Sequence, residues 1–461
     1  MGLTIVAALL HFPTVTYCAV NTSVLIDISQ LRIGMYIQLD LSWMQHPFPV
    51  SNFRVGSAEQ IATLRELGLT QIKVLPKKSD PEFRHGVIPP EPETPSACPE
   101  PASPEPVVAD QPSASLTAGA ENALALRRRL LLAAQNASLL ACDQRFRLAT
   151  RQYMAMEKLV SDQPQAAQAE GTSLVSECVD ELLESSDSVI RLLSEGVGEP
   201  GALHPVNVMV LSLLLGKALG MKSAELHDLG VAALLHDIGK MGMPLQLAHV
   251  SSSMTLAERS RYEGHVAASV ALATRMGWGK PVLATIAQHH EMVDGSGFPL
   301  RRGAAELSRS SQVVALVNHY DRMCSPIGGG GLTPHETLSV IFAQHKARFD
   351  SVVLGAFIRM MGVYPPGSIV QLVNDRYAIV ASVNSSRPLR PRVIVHDSRI
   401  PKDEAPILDL ETVPELGIRR SLKPSQLPRD ALDYLSPRKR ICYFFERAVS
   451  PDSVEAEVQA L

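Results

Sequence analysis

The stretch "PPEPETPSACPEPASPEPVVADQP", inside residues 76–118, constrains this chain more than any other. Proline at this density removes backbone donors and fixes φ, and the Glu, Ser and Ala between the prolines offer little to bury. The segment reads as an extended linker. The chain must then fold as separate units on either side of it. Its 461 residues, too many for one ordinary core, point the same way.

On the N-terminal side, residues 24–75 form a small unit. "VLIDISQLRIGMYIQLDL" alternates like strands around a turn at Gly34. "SAEQIATLRELGL" follows as a helix, with Ser57 as N-cap and Gly68 as C-cap, and "TQIKVL" closes the unit as a strand. Before it, residues 3–20 are apolar, but they lack a basic start and are interrupted by His11 and Pro13. A signal peptide is therefore a weaker reading than a disordered or mis-assigned start. No other stretch reads as long and apolar enough to cross a bilayer.

On the C-terminal side the pattern is helical. Residues 121–195 have few helix breakers and repeat apolar residues at helical spacing, as in "SLVSECVDELLESSDSVIRLL". They read as helices that buttress the next domain or pair with a second subunit, giving a homodimer. Residues 196–362 continue as helices broken by loops, among them "HPVNVMVLSLLLGKALG", "AELHDLGVAALLHDIG" and "LAERSRYEGHVAASVALATRMG". Residues 363–400 alternate between Gly, Asn-Asp and Pro-rich turns and read as a small β unit, and residues 401–461 read as a tail. The fold class is mainly α: a helical bundle with a small α+β N-terminal domain and a short β-rich C-terminal segment.

A net charge of −4 carries no basic patch or tail for a nucleic-acid polymer. The six cysteines lie far apart with no CxxC pair, which excludes a zinc knuckle or a disulfide scaffold and suits a reducing cytoplasm.

Five of the 14 histidines interrupt the apolar helices: His204, His236, His265, His289 and His290. One histidine on an apolar helix is usually a core residue with one hydrogen bond. Five on consecutive helices, with Asp237 beside His236, are costly to bury unless something compensates. A metal does so, because imidazole and carboxylate are good ligands for iron, manganese or zinc. Adjacent ligands cannot point the same way on a helix, so His236-Asp237 and His289-His290 favour two ions over one. A two-metal site suits phosphoryl chemistry, and Lys240 would add a positive charge near the phosphate. "HHEMVDGSGFP" then places Asp294, Gly295 and Gly297 in a tight loop directly after two candidate ligands. Asn318 and Asp321, three residues apart in "VNHYD", share a helix face.

Through these motifs, residues 204–362 resemble the HD-GYP family, the branch of HD-domain phosphohydrolases that linearises cyclic di-GMP. "HPVNV", "LLHDIGK", "HHEMVDGSGFP" and "HYD" carry the resemblance. Residues 24–75 resemble the small DUF3391 domain that precedes HD-GYP in many bacterial signalling proteins, and "VYPPGSIVQLVNDRYAIVASVN" is similar to that subgroup too. The resemblance implies an HD-domain bundle holding divalent metals, usually iron or manganese. It offers His204, His236, Asp237, His265, His289, His290 and Asn318 as ligands, with Asp237 and Lys240 at the chemistry. Asp294, Gly295, Gly297, Phe298 and Pro299 fall on the signature loop, which the family links to activity and to partners such as diguanylate cyclase (GGDEF) proteins.

The chain departs from the family at several points. Phe298 stands for the signature tyrosine, and Asn318 for an aspartate ligand. "CSPIGGGGLTPHE" follows where an Arg and a Lys usually hold substrate phosphate, and "AHVSSSMT" replaces a Lys-Pro-Gly turn. Glu199 is one residue out of register for a third metal, so two ions are expected. Three readings follow: a cyclic di-GMP phosphodiesterase giving pGpG and then GMP, a non-catalytic cyclic di-GMP sensor, or a hydrolase of another phosphate ester.

Overall fold

The computed structural model describes residues 24–39, 52–66, 69, 71–80, 83, 114–184, 187–244, 247, 254–326, 329–384, 390–413 and 416–447. Side chains in the first turns of the helix that opens at Ala114 are outside this set, as are residues 3–20, Gly68 and most of the proline-rich stretch. Two compact units are present, residues 1–108 and 109–461.

The first unit is a four-stranded antiparallel sheet of order β1-β4-β2-β3. Its strands are β1 (Val24–Asp27), β2 (Tyr36–Gln38), β3 (Asn52–Arg54) and β4 (Gln71–Val74), with helix α1 (Ala58–Glu66) between the last two. Alternation puts Ile26, Ile37, Ile72 and Val74 on one face, where they pack with Leu31, Met35, Val55 and Leu64. Gly34 turns the chain at φ 96°. Ser57 caps α1 by accepting from Gln60 N at 3.3 Å. The unit extends into the range read as linker: Tyr36 N donates to Ser79 Oγ at 2.8 Å, and Arg54 pairs with Asp80 at 2.8 Å.

The second unit opens with two long helices, α2 (Ala114–Leu159) and α3 (Pro164–Glu184). The next segment, read above as helical, is a strand instead: β5 (Ser188–Leu192), buried along its whole length. Its β-branched Val189 and Ile190 suit a sheet covered on both faces, and a short apolar run has no periodicity to show this. The bundle follows as α4 (Leu203–Ala218), α5 (Ser223–Leu235), α6 (Leu256–Glu263), α7 (His265–Met276), α8 (Lys280–Gln288), α9 (Arg309–Cys324), α10 (Pro334–Gln344) and α11 (Ser351–Met361). Helix α4 is central, packing on α5, α9 and α11. With its preceding turn (Pro200–Ala218) it has the length and composition of a membrane span, but 72% of that window is buried here. It is the core helix of this bundle.

Three strands, β6 (Ile369–Leu372), β7 (Tyr377–Asn384) and β8 (Arg392–Val395), form the small β unit expected after the helices. The tail reading does not hold through residue 447. This stretch supplies β9 (Ile407–Asp409), β10 (Ile418–Leu422), helix α12 (Arg429–Leu435) and β11 (Tyr443–Arg447). Together with β5 they complete a seven-stranded antiparallel sheet in which β11 pairs with β5 and β5 with β7. Tyr443, Phe444 and Phe445 of β11 are at most 2% exposed and belong to the same core as α4 and α5. Strand β11 is thus tied into the bundle by its own aromatic side chains.

Candidate metal centre

Three of the histidines are set by one local device. The last carbonyls of a helix have no partner within it. His236, directly after α5, places Nδ1 2.7 Å from Ala233 O, and His289, directly after α8, places Nδ1 2.6 Å from Ile286 O. His265 Nδ1 bonds Tyr262 O in the same way. The helix expected to run unbroken through His265 divides at Gly264 into α6 and α7, which leaves Tyr262 O within reach of the His265 ring. A neutral imidazole has one N–H, and each carbonyl takes it at Nδ1. Every Nε2 therefore presents a lone pair, and these lone pairs converge. His204 Nε2 lies 3.2 Å from His236 Nε2, and His265 Nε2 lies 3.3 Å from His289 Nε2. A divalent cation between the facing lone pairs would offset their repulsion.

Asp237 sits where the pairs meet. Its Oδ2 is 3.4 Å from His204 Nε2 and 3.3 Å from His236 Nε2. Its Oδ1 is 3.2 Å from His265 Nε2 and 3.6 Å from His289 Nε2. Oδ1 is buried without a hydrogen-bond partner. Two potential ligand sets result, sharing Asp237: His204 and His236 on one side, and His265, His289 and His290 on the other. Burial pushes the pKa of His236 and His265 down, that of His289 to about 4, and that of His290 well below its usual value. They are neutral imidazoles, the form that binds metal. Burial pushes Asp237 the other way, but the Lys240 ammonium and the Arg322 guanidinium hold its carboxyl well below the usual range. An orphaned buried carboxylate oxygen among bare imidazole nitrogens fits a divalent metal.

The ligands are held from behind. His204, in the first turn of α4, bonds Asp321 Oδ2 through Nδ1 at 2.6 Å. Asp321 is fixed in turn by Asn207 Nδ2 at 2.5 Å and by Arg440 Nη2 at 3.0 Å. Asn207 also accepts from Tyr443 N at 2.8 Å, which ties the His204 support to strand β11.

The signature loop packs onto the His289-His290 turn. Phe298 stacks on His290, with ring centroids 4.4 Å apart and planes 22° from parallel. The stack uses the ring, so the hydroxyl of a tyrosine is not needed for it. Gly297 makes this approach possible: a Cβ there would stand 2.5 Å from Glu291 Cα, His290 O and Met292 N. Glu291, 2% exposed, closes the loop by accepting from Leu300 N at 2.6 Å and Arg302 N at 2.9 Å. Asp294 accepts from Ser296 N at 2.9 Å, and Gly295 has φ 74°. Asp294, Gly295 and Pro299 shape or extend the loop, while Phe298 reaches the histidines.

Lys240 lies 2.9 Å from Asp237 Oδ2 and over the Tyr262 ring at 4.9 Å. Burial draws its pKa down to about 8 against the pull of Asp237. Asn318 is buried on α9, but its amide oxygen accepts from Arg322 Nε at 2.8 Å, and Arg322 Nη2 also bonds Asp237. Arg322, Asn207, Tyr262, Glu291 and Arg440 join the site in the folded chain without having been expected there from the sequence. Arg322 had a signal in its i,i+4 spacing from Asn318. Arg440 had none, because only the tertiary fold brings it to Asp321.

Residues 23–171 match the family described as a domain of unknown function, DUF3391, and residues 154–353 match the HD domain. The chain is 29% identical over 402 residues to a cyclic di-GMP phosphodiesterase of Pseudomonas aeruginosa, covering 84% of this chain and 88% of that protein. It is 27% identical over 120 residues to a 3'3'-cGAMP-specific phosphodiesterase of Vibrio cholerae, 26% of each chain. An HDG"Y"P protein from Bdellovibrio bacteriovorus is a structural neighbour at 15% identity and TM-score 0.41, covering 73% of this chain and 98% of that one.

Proposed function

We propose that this protein, a member of the HD-domain family with a DUF3391 domain ahead of its bundle, is a metal-dependent phosphodiesterase that opens cyclic di-GMP to pGpG and then GMP. One observation carries the reading: Asp237 lies between two sets of bare imidazole nitrogens, with one oxygen toward each. Two divalent ions held there, iron or manganese as the family resemblance implies, would polarise a phosphodiester and acidify an attacking water.

The chain's own residues do the rest. Asp321 and the helix-end carbonyls orient the imidazoles. Lys240 places positive charge beside Asp237, where phosphate oxygens would lie. The Phe298–His290 stack fixes one wall, and Tyr262 another. Nothing in these contacts selects guanine at both ends, so the choice between cyclic di-GMP and 3'3'-cGAMP is left to assay. The Phe298–Pro299 loop, with Leu300 64% exposed beside it, is the surface we would test for a diguanylate cyclase partner.

The test is anaerobic purification, measurement of metal per chain, and assay of both cyclic dinucleotides with Fe(II) and Mn(II). Turnover of cyclic di-GMP that is lost in His236→Ala supports the reading. Tight binding of cyclic di-GMP without product, in metal-loaded protein, would favour the sensor reading, for which the uncharged Asn318 speaks.

A further inference from the structure

The two oxygens of Asp237 have different surroundings. Oδ1 faces His265 and His289 and has no hydrogen-bond donor. Oδ2 already receives Lys240 at 2.9 Å and the Arg322 guanidinium. Arg322 is a fork, with Nε on the Asn318 amide oxygen and Nη2 on Asp237. Asn318 contributes no charge. The other carboxylate near His204, Asp321, is engaged by Arg440 at 3.0 Å. On the His204–His236 side, then, Asp237 and Asp321 are met by Lys240, Arg322 and Arg440, and no negative charge is left over for a dication. On the other side a bare carboxylate oxygen and three neutral imidazoles await one.

We infer that the two metal positions are unequal: the ion among His265, His289, His290 and Asp237 Oδ1 binds tightly, and Arg322 acts as a built-in competing cation at the His204–His236 position. The second ion enters only when Arg322 withdraws. The Arg322 side chain is 24% exposed and long enough to swing toward solvent. Its charge is fixed at any working pH, so Arg322 competes through its position and not through its own protonation. The inference rests on the metal-centre reading proposed above, but not on turnover.

The experiment is Mn(II) titration of the metal-free full chain by equilibrium dialysis with elemental analysis, with circular dichroism and melting to check the fold. Wild type should take up one ion per chain at low free Mn(II) and a second only at roughly tenfold or more higher free metal. Arg322→Met should bring the second uptake down toward the first. Asn318→Asp, with Arg322 in place, should also tighten the second ion by restoring a carboxylate. Simultaneous filling of both positions in wild type, or an unchanged second uptake in both folded variants, overturns the inference. Failure of every form to bind any ion overturns the metal centre with it. Unequal filling without hydrolysis would leave the inference standing and remove the phosphodiesterase reading.

Discussion

Replacing Gly297 by alanine tests whether the signature loop works by close packing. A Cβ at this position would stand 2.5 Å from three backbone atoms of the His290–Met292 segment. Non-bonded atoms settle at about 3.5 Å or beyond, so the loop must retreat by about 1 Å. None of the three is the end of a flexible side chain, so neither side can give way locally. Overpacking of this kind costs about 1–3 kcal/mol. The retreat also moves Phe298 off His290, and a displacement of about 1 Å near reacting groups can cost about 100-fold in rate. Cyclic di-GMP turnover, metal content and the thermal midpoint should be measured together. Gly295→Ala is the control. Its positive φ makes alanine strained by about 1–2 kcal/mol. Its Cβ would meet only Arg301 O, at 3.4 Å, so the loop need not retreat. Both variants should melt lower, but only Gly297→Ala should lose turnover on the larger scale. A Gly297→Ala protein with wild-type midpoint and rate would refute the reasoning, as would Gly295→Ala being the more damaging to rate.

Other perturbations probe the supports. Glu446→Ala leaves Arg191, 4% exposed, without its partner at 2.7 Å, and should cost about 3–5 kcal/mol in denaturant unfolding. Asn207→Ala strips donors and acceptors from Asp321 and Tyr443 N together, so melting should fall by the equivalent of about 1–3 kcal/mol for each group left unsatisfied. A chain ending at Leu435 loses β11 and Arg440 and should not yield a folded bundle; a soluble, cooperatively melting product would contradict the assignment of β11 to the core. Burial raises the thiols of Cys142, Cys178, Cys324 and Cys442 to about 12, so a disulfide reagent at mildly alkaline pH should reach these four only after unfolding, as peptide mapping would show.

How far the sequence could be read depended on the range of the interactions involved. His236, His265 and His289 were legible because their geometry is local: each imidazole bonds a carbonyl three residues back, and each stands at a helix end. The strands of the first unit were legible for a similar reason, since alternation in "VLIDISQLRIGMYIQLDL" reflects one covered face. Strand β5 was not legible. Its two edges are paired by β7 and β11, which lie far away in sequence, and all five residues are buried; burial on both faces erases the alternation that marks a strand.

The same distinction applies to charge. Against the family pattern it resembles, the chain is short of one carboxylate, at Asn318, and of two cations after α9. The folded chain shows cations placed elsewhere: Arg322 one turn beyond Asn318, and Arg440 delivered more than a hundred residues later by the strand that follows it. Losing a negative charge and gaining a positive one beside Asp237 act in the same direction, against a second dication and in favour of a bound anion. A substitution such as Asn318 therefore cannot be judged as a missing ligand alone. Arg322 bonds Asn318 through Nε and Asp237 through Nη2, and an aspartate at position 318 would add a negative charge to that contact. Restoring that aspartate while keeping Arg322 changes the charge at the His204–His236 position by one unit without altering any imidazole, so metal uptake by that variant isolates charge from ligand number.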